Sequence, residues 1–359
     1  MKKVSILAAV WLLLAVLVWF APQKESSDAE RRLLAQRPEV TAQSLLDGSF
    51  MEDFEAYSLD QFPWRDAFRG LKAVVHNYGL WQKDNNQIYI AQGTAAQMEY
   101  PLDNDNLERA LSQFQKIYDL YLGERDCQVV TTVVPDKGYY LAKDSGHLSM
   151  DYPALFSKVK KDMDWATYVD ITDCLSLSDY YRTDTHWRQE RLLPTAQKLC
   201  EALGVTMPVS RDFTETLLER PFYGVYYGQA ALPMKSDTMH LMDSDLLDDC
   251  RVYYHTDDVY GQVYDMEKAE GKDMYETYLS GAQSLLRIEN PNATTDRELV
   301  IFRDSFGSSL APLLVQDYKT VTLVDLRYIA PEQLGNYLQF DSQDVLFMYS
   351  SLVLNIGGL

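Results

Sequence analysis

The chain has 359 residues, of which 47% are hydrophobic and 12% aromatic, so it is long enough to bury one large core and is not expected to be disordered. Its 33 basic and 53 acidic residues give a formal net charge of -20, and no basic stripe interrupts this acidity. Because such a surface repels a phosphate backbone, we expect no nucleic-acid partner.

The N-terminus has the pattern of a membrane anchor. Two lysines precede an apolar run at residues 4–21 that approaches the length of a bilayer-spanning helix. The run ends in Trp19, Phe20, Ala21 and Pro22 rather than in the small residues of a cleavage site, which favours an uncleaved anchor over a cleaved signal. The lysines would stay in the cytoplasm, and the chain after Pro22 would lie outside.

The sequence divides into three predicted segments. Residues 1–22 are the predicted anchor or signal, and residues 23–48 are a polar juxtamembrane linker. Residues 49–359 form the predicted catalytic domain, interrupted at about 206–275 by an acidic, tyrosine-rich insertion. The aspartates of this insertion lack the alternation of a calcium loop, so we interpret it as a solvated surface or a lid.

Helices and strands alternate through the domain. In chain order, we predict helices or strands at 68–75 (helix), 87–90 (strand), 107–121 (helix), 127–134 (strand), 166–171 (strand), 188–203 (helix), 299–303 (strand), 309–315 (helix), 321–325 (strand), 331–338 (helix) and 345–349 (strand). This alternation predicts an α/β fold with a doubly wound, mostly parallel sheet, in which sites form at the carboxyl ends of strands.

The cysteines do not define a metal site. Cys127, Cys174, Cys200 and Cys250 lack CxxC and His-paired spacing, so we predict no metal and no cofactor. One disulfide and four free thiols both remain compatible with the sequence.

One of the five histidines has a neighbour suited to catalysis. Asp184 lies two residues before His186, and in an extended segment both side chains project to the same side. The carboxylate can then accept the Nδ1 proton and leave Nε2 free as a base. The alternative is a structural Asp/His pair with Trp187 in the core.

A second motif supplies a nucleophile. The apolar strand at 299–303 is followed by Asp304 and Ser305 and then by the start of a helix. This places a serine hydroxyl at a strand end and a helix N-terminus, where free N–H groups can stabilise an oxyanion. The serine needs a base, which His186 can supply. The alternative is that Ser305 or Asp304 only caps the helix.

The order of these two motifs resembles the DHHW protein family and the related SGNH-like acetyltransferases of alginate and cell-wall polysaccharide modification. The motifs are Thr183-Asp184-Thr185-His186-Trp187 and Asp304-Ser305-Phe306-Gly307. Weaker support comes from four other segments: Phe62-Pro63-Trp64-Arg65-Asp66, Val134-Pro135-Asp136-Lys137, Phe222-Tyr223-Gly224 and Val324-Asp325-Leu326-Arg327-Tyr328. The resemblance spans about residues 49 to 350. It implies a flavodoxin-like SGNH fold with Ser305 as nucleophile, His186 as base and Asp184 orienting the base.

The sequence departs from this family pattern in one place. Ala282 stands where relatives often have the asparagine of a Gly-Gly-Asn motif, so Gln283 or a backbone group would have to serve the oxyanion. Further candidates for the substrate or oxyanion side are Arg327, Asp304 and Trp187. The absence of GxSxG argues against an ordinary α/β-hydrolase.

These inferences predict a serine-dependent O-acetyltransferase or acetylesterase that acts outside the membrane on a cell-envelope glycan or exopolysaccharide, through an acyl-serine. One anchor helix offers no acyl channel, so transfer would require a membrane-bound O-acyltransferase partner that supplies acetyl groups. The alternative is a non-catalytic envelope binding or scaffolding protein that retains the fold. Scattered histidines argue against a metal-dependent hydrolase.

Overall fold

The computed structural model describes residues 2–20, 22–27 and 29–359. The chain divides into two compact units. The first comprises Met1–Asn86 with Tyr227–Met234, and the second comprises Gln87–Tyr226 with Lys235–Leu359. The second unit therefore begins within the predicted domain at 49–359.

Short strands and helices follow one another along the described residues. The strands are β1 (Ser26–Ser27), β2 (Arg32–Leu33), β3 (Ile88–Ala91), β4 (Thr94–Gln97), β5 (Val129–Val134), β6 (Thr167–Tyr168), β7 (Thr214–Phe222), β8 (Asp237–Asp243), β9 (Arg251–Tyr254), β10 (Val259–Gly261), β11 (Leu285–Glu289), β12 (Glu298–Arg303), β13 (Thr320–Val324) and β14 (Asp344–Ser350). The helices are α1 (Lys2–Phe20), α2 (Ala42–Asp47), α3 (Ser49–Asp60), α4 (Arg65–Val74), α5 (Asn104–Ile117), α6 (Lys137–Ser145), α7 (Tyr152–Asp162), α8 (Leu193–Leu203), α9 (Val225–Ala230), α10 (Asp245–Asp249), α11 (Met266–Ala269), α12 (Gly307–Leu310) and α13 (Ser351–Ile356).

Helix α1 occupies the segment that the sequence assigns to a membrane anchor. Across residues 2–20, 22–27 and 29–359, no helix combines the length and apolarity required to traverse a bilayer, so the predicted transmembrane helix is not found there.

In the first unit, ionic contacts connect the linker to α3 and α4. Arg32 donates to both oxygens of Asp60, at 2.5 and 2.7 Å, and this hydrogen bonding lowers the pKa of Asp60 to about 2. Arg65 forms an ion pair with Glu30. Residues 29–35, which the sequence analysis placed in a polar linker, are therefore fixed against the two helices.

The second unit is built on an eight-stranded sheet in the order β10-β9-β11-β13-β12-β14-β5-β6. The five strands from β13 to β6 are parallel, whereas β11, β9 and β10 are antiparallel. The predicted mostly parallel α/β sheet is thus confirmed. The interpretation of 206–275 as only a surface or lid is wrong in part, because β9 and β10 fall within it and extend this sheet.

Apolar residues on alternate positions of the strands divide between two cores. From β5, Val130 and Val134 pack with Leu199 of α8 in one core. Val129 and Val133 pack with α5 and α7 in the other. Because helices cover both faces, the central strands are apolar at nearly every position, as expected for a buried parallel sheet.

Strand β12 occupies the position where the chain reverses direction across the sheet. The chain passes from β12 to β13 on one side and then to β14 on the other side. In open α/β sheets, ligands bind beside the carboxyl ends of strands at such a reversal. The residues that follow β12, beginning with Asp304, are therefore placed where a site is expected.

Several elements are shorter than predicted. The helix expected at 309–315 is instead α12 followed by a 3-10 turn at Ala311–Leu314, where Pro312 lacks the N–H that an α-helix needs. The helix expected at 331–338 is a 3-10 helix at Pro331–Asn336. The strand expected at 166–171 is reduced to β6.

The four cysteines form no disulfide in the structure. Cys127, Cys174, Cys200 and Cys250 are all free thiols. Burial raises the pKa of Cys200 and of Cys250 to about 12, so neither is a reactive thiolate near neutral pH.

Candidate active site

Ser305 lies on a sharp turn held by the carboxylate before it. Asp304 is fully buried, and its Oδ1 accepts the Phe306 N–H at 3.0 Å. Its Oδ2 accepts the Ser350 N–H at 2.8 Å, which connects the turn to the end of β14. The carboxylate of Asp304 therefore faces the backbone and stabilises the turn, as the alternative without a substrate role for this residue expected.

The turn also requires a glycine. A Cβ on Gly307 would lie 2.8 Å from the Cβ of Arg303, closer than side chains can pack. With no Cβ, α12 begins directly above the end of β12. Within the described part of the chain, the Ser305 N–H makes no hydrogen bond, so it remains available to an oxyanion.

The three predicted catalytic residues form one continuous chain of hydrogen bonds. His186 Nε2 lies 2.7 Å from Ser305 Oγ, and His186 Nδ1 lies 2.6 Å from Asp184 Oδ2. Asp184 is 1% exposed, and a buried carboxylate so close to Nδ1 favours the tautomer with its proton on that nitrogen. Nε2 is then the acceptor that faces the serine hydroxyl.

Backbone donors fix the orienting carboxylate. The Val225 N–H donates to Asp184 Oδ1 at 2.8 Å, and the His186 N–H donates to Oδ2 at 3.3 Å. A Cβ on Gly224 would lie 2.1 Å from the Cβ of Asp184, so the Phe222-Tyr223-Gly224 motif has a structural reason: only glycine lets this backbone approach the aspartate.

Asp237 holds the segment that carries Asp184, a role that the sequence analysis missed. It accepts the backbone N–H groups of Arg182 and Thr183, each at 2.9 Å, and the Thr183 hydroxyl at 2.6 Å. Hydrogen bonds to a charged acceptor contribute roughly 1.5–3 kcal/mol each, so this anchoring is substantial. The sequence gives no local signal for it, because 53 residues separate Asp237 from Asp184.

Tyr275 is a second residue that the sequence analysis missed. Its ring stacks on the His186 imidazole with 3.7 Å between centroids and 6° between planes. Its hydroxyl is 2.8 Å from Ser309 Oγ, and burial raises the pKa of Tyr275 well above its ordinary value. The neutral phenol therefore restrains the plane of the imidazole and offers a π face to an imidazolium.

Trp187 lies beneath the turn. Its side chain is fully buried, and Nε1 donates to the Phe306 carbonyl at 3.1 Å and to Ser309 Oγ at 2.9 Å. The structure places it in the core, as the alternative interpretation of this residue expected, and not on a surface that a substrate can reach.

Lys137 from the Val-Pro-Asp-Lys motif is buried beside the same segment. Its Nζ donates to the Tyr181 carbonyl at 3.0 Å and lies 3.4 Å from the Arg182 carbonyl. It also lies 4.8 Å from the centre of the Tyr226 ring. Burial lowers the pKa of Lys137 to about 7, although the nearby carboxylates of Asp184, Asp237 and Asp136 act in the opposite direction.

We expect Lys137→Met to change how stability depends on pH. As the pH rises through about 7, the folded protein releases the lysine proton, whereas the unfolded chain keeps it to about 10.5. The unfolded state then binds more protons, so the contribution of Lys137 to wild-type stability rises with pH over this window. The stability advantage of wild type over Lys137→Met should therefore be larger at pH 9 than at pH 6.5.

Urea unfolding of both proteins at the two pH values measures this difference. Lys143→Met, at an exposed position on the same helix, is the matched control and should show no such pH dependence. An equal difference between wild type and Lys137→Met at both pH values would contradict the prediction.

Gln283 and Arg327 lie at the carboxyl ends of the parallel strands, as the triad does. Leu285 of β11 pairs with Val324 of β13, so Gln283 precedes β11 beside the end where β13 leads into Arg327. Arg327 donates through Nη2 to the buried Asp325 at 2.6 Å. Neither side chain hydrogen-bonds to the triad within the described residues.

The loop before Gln283 has an unusual backbone. Leu279, Ser280 and Gly281 have φ values of 55°, 54° and 81° in succession. Such conformations are costly for non-glycine residues and cluster at functional sites. Ala282 therefore directly follows a constrained stretch of backbone, just before β11.

The DHHW protein family model matches residues 154–324, a range that contains Asp184, His186 and Ser305. No curated protein sequence matches the chain. The resemblance to the DHHW family inferred from the two motifs is confirmed by the family match.

Solved structures show the same fold. A DHHW family protein from Eubacterium siraeum DSM 15702 is 20% identical, with a TM-score of 0.62 over 76% of this chain and 93% of that chain. PatB1 of Bacillus cereus is 16% identical, with a TM-score of 0.60 over 75% of this chain and 97% of that chain. A structure of PatB1 with a sulfonyl adduct gives 16% identity and a TM-score of 0.58, covering 75% and 95%. At these identities, the similarity concerns the fold alone.

Proposed function

We propose that this protein is an extracytoplasmic, serine-dependent O-acetyltransferase or acetylesterase of the SGNH type that modifies an envelope glycan or exopolysaccharide. Ser305 is the nucleophile, His186 the general base and Asp184 the residue that orients the base. The observation that carries the proposal is the continuous hydrogen-bond chain from Asp184 through His186 to Ser305 at the carboxyl end of β12. The acetyl group and the glycan are proposed from the family resemblance.

The proposed reaction has two half-reactions. His186 Nε2 removes the Ser305 proton as Oγ attacks the acetyl carbonyl of an ester donor, which forms a tetrahedral oxyanion. The imidazolium returns the proton to the leaving alcohol oxygen as the donor ester bond breaks, which leaves acetyl-Ser305. A sugar hydroxyl or water then attacks the acetyl-serine with His186 again as base, and Ser305 recovers its proton.

The oxyanion would be stabilised from two sides. The Ser305 N–H is one donor, at the start of the turn into α12. A second donor would come from the loop that ends at Gln283, where Ala282 supplies no side-chain amide. The Gln283 amide is the proposed substitute, since it is partly exposed at the same edge of the sheet.

The cellular setting is also part of the proposal. The apolar run at 4–21 would anchor the chain in the membrane with the catalytic unit outside. A donor made inside the cell would then need a membrane-bound O-acyltransferase partner to pass acetyl groups across the bilayer.

A sulfonyl fluoride labelling experiment tests the nucleophile. The full chain in detergent is treated with phenylmethylsulfonyl fluoride, and its turnover of 4-nitrophenyl acetate is followed in parallel. We expect one sulfonyl group on the peptide that contains Ser305, with loss of acetyl release in proportion to labelling. Ser305→Ala should be unlabelled and inactive, while Ser112→Ala, at an exposed position on α5, should behave as wild type.

The labelling experiment, together with envelope acetylation measured in cells that lack the protein, distinguishes the enzyme from a second candidate function. Ala282 in place of an asparagine favours a non-catalytic glycan-binding protein that retains the fold. If wild type is neither labelled at Ser305 nor active on the ester, and envelope acetylation is unchanged in cells that lack the protein, the enzymatic proposal is rejected in favour of this one.

A further inference from the structure

The first unit exposes an apolar face that none of the preceding functions uses. It runs from the residue before α4 through the π-helical turn at Val75–Gly79 to the loop beyond. Eight large apolar side chains are exposed along this stretch, and Val74 and Leu80 are two of them. The other six recur at spacings of three and four residues, which places Phe68, Leu71 and Val75 on one side of the helix: Trp64, Phe68, Leu71, Val75, Tyr78 and Trp81. We call these six residues the aromatic face. Trp64, Tyr78 and Trp81 are 67%, 69% and 84% exposed, an unusual density of aromatic surface for a soluble protein.

The opposite side of α4 makes the packing contacts of this helix. Arg65 pairs with Glu30, and Arg69 Nη2 donates to the Gly228 carbonyl at 2.6 Å. Ala73 is fully buried. Because the polar side of α4 is the side fixed within the unit, the aromatic face is directed away from its contacts.

The composition of α4 matches a helix that lies in a membrane interface. Such helices combine basic residues on the polar side with Trp, Phe and Leu on the apolar side. Here the basic residues are Arg65, Arg69 and Lys72. Trp and Tyr, which have an apolar ring and a polar N–H or O–H, concentrate at the level of the lipid headgroups.

The distribution of charge also favours a lipid bilayer as the surface that the aromatic face contacts. The residues of the first unit include 10 basic and 11 acidic side chains, so its formal charge is -1 out of a total of -20. The remaining charge of -19 lies on the second unit. An anionic lipid surface would repel the second unit strongly and the first unit hardly at all.

We infer that the aromatic face of the first unit lies on the surface of a phospholipid bilayer, with the rings of Trp64, Tyr78 and Trp81 among the lipid headgroups. The inference is independent of the proposed catalysis, because no residue of the triad takes part. It also does not require α1 to span the bilayer, since the contact is made by residues 64–81.

Tryptophan emission in lipid nanodiscs tests the inference on the full chain. Discs are made from phosphatidylcholine and phosphatidylglycerol with or without bromine on the acyl chains, which quenches nearby indoles. Subtracting the emission of Trp64→Phe/Trp81→Phe from that of wild type isolates these two residues and cancels Trp11 and Trp19. We expect the difference emission to be blue-shifted and to fall by about half or more in brominated discs, as for indoles at an acyl-chain boundary.

Trp165→Phe provides the matched control. Trp165 stacks on Tyr118 within the second unit, with 4.5 Å between ring centroids, so its difference emission should be insensitive to bromine. The single variants Trp64→Phe and Trp81→Phe give independent differences, which keeps the test valid if the double variant is poorly folded.

Two outcomes would overturn the inference. If the Trp64 and Trp81 emission is unquenched by bromine and accessible to iodide, the face is exposed to water. If it is unquenched by bromine and also shielded from iodide, the face is covered by protein, either a partner or a second copy of the chain.

Discussion

Replacing His186 by alanine is expected to reduce ester turnover by about 10⁴-fold or more, the same loss as for Ser305→Ala. The reason is geometric. Nε2 lies 2.7 Å from the serine hydroxyl, so it is the acceptor positioned to take the proton, and a serine hydroxyl without a base is a poor nucleophile. The two residues perform one function, so removing either abolishes it.

The double variant sharpens this prediction. If Ser305 and His186 act as a unit, Ser305→Ala/His186→Ala should be no slower than either single variant, because the second change removes nothing further. The measurement is kcat/KM for 4-nitrophenyl acetate at a pH where wild type is fully active. Losses that multiply in the double variant would show that the residues act separately and would refute the triad.

His147→Ala is the matched control for the histidine. The imidazole of His147 also stacks on a tyrosine, Tyr89, with 4.0 Å between centroids, and its Nδ1 lies 2.9 Å from Ser145 Oγ. Its Nδ1 therefore faces a hydroxyl, whereas Nδ1 of His186 faces a carboxylate. Activity should be retained in this variant, and most of the activity retained in His186→Ala would contradict the assignment.

Asp184→Asn is expected to reduce kcat/KM by roughly 10²–10⁴-fold while leaving the fold intact. The Val225 N–H, 2.8 Å from Oδ1, selects the amide oxygen at that position. The amide NH₂ then lies at the Oδ2 position, 2.6 Å from Nδ1, and donates to it. The imidazole proton is forced onto Nε2, which can no longer accept the serine proton.

Nitrogen NMR of the imidazole distinguishes a change of tautomer from a general loss of structure at the site. The signals should show the proton on Nδ1 in wild type and on Nε2 in Asp184→Asn, at similar thermal stability. Asp164→Asn, at an exposed position in the same unit, should change neither the tautomer nor the rate. An unchanged tautomer, or activity within about tenfold of wild type, would argue against an orienting role for Asp184.

The sequence predicted the parts of the site that depend on short-range pattern. The two-residue spacing of Asp184 and His186 placed both side chains together, and the change from strand to helix after residue 303 placed Ser305 at a strand end. Strands β5, β12, β13 and β14 were also predicted, because buried parallel strands are almost continuously apolar.

The supporting residues could not be predicted, because they reach the site from distant parts of the chain. Tyr275 meets His186 across 89 residues of sequence, and Asp237 anchors a segment more than 50 residues earlier. A lone tyrosine or aspartate carries no local periodicity. Strands β9 and β10 were missed because both are short and acidic residues surround them. β9 has only two buried positions, and β10 has none.

The nucleophile and its base are held by very different parts of the fold. Ser305 continues a central strand with paired neighbours on both sides, whereas His186 is carried by an irregular segment that depends on Asp237, Lys137 and Val225 for its position. Central strands open only with the whole domain, while segments held by a few side-chain contacts open locally at lower free energy. We therefore expect the contacts of Asp237, Lys137 and Val225, more than the central sheet, to determine whether the imidazole stays within reach of the serine.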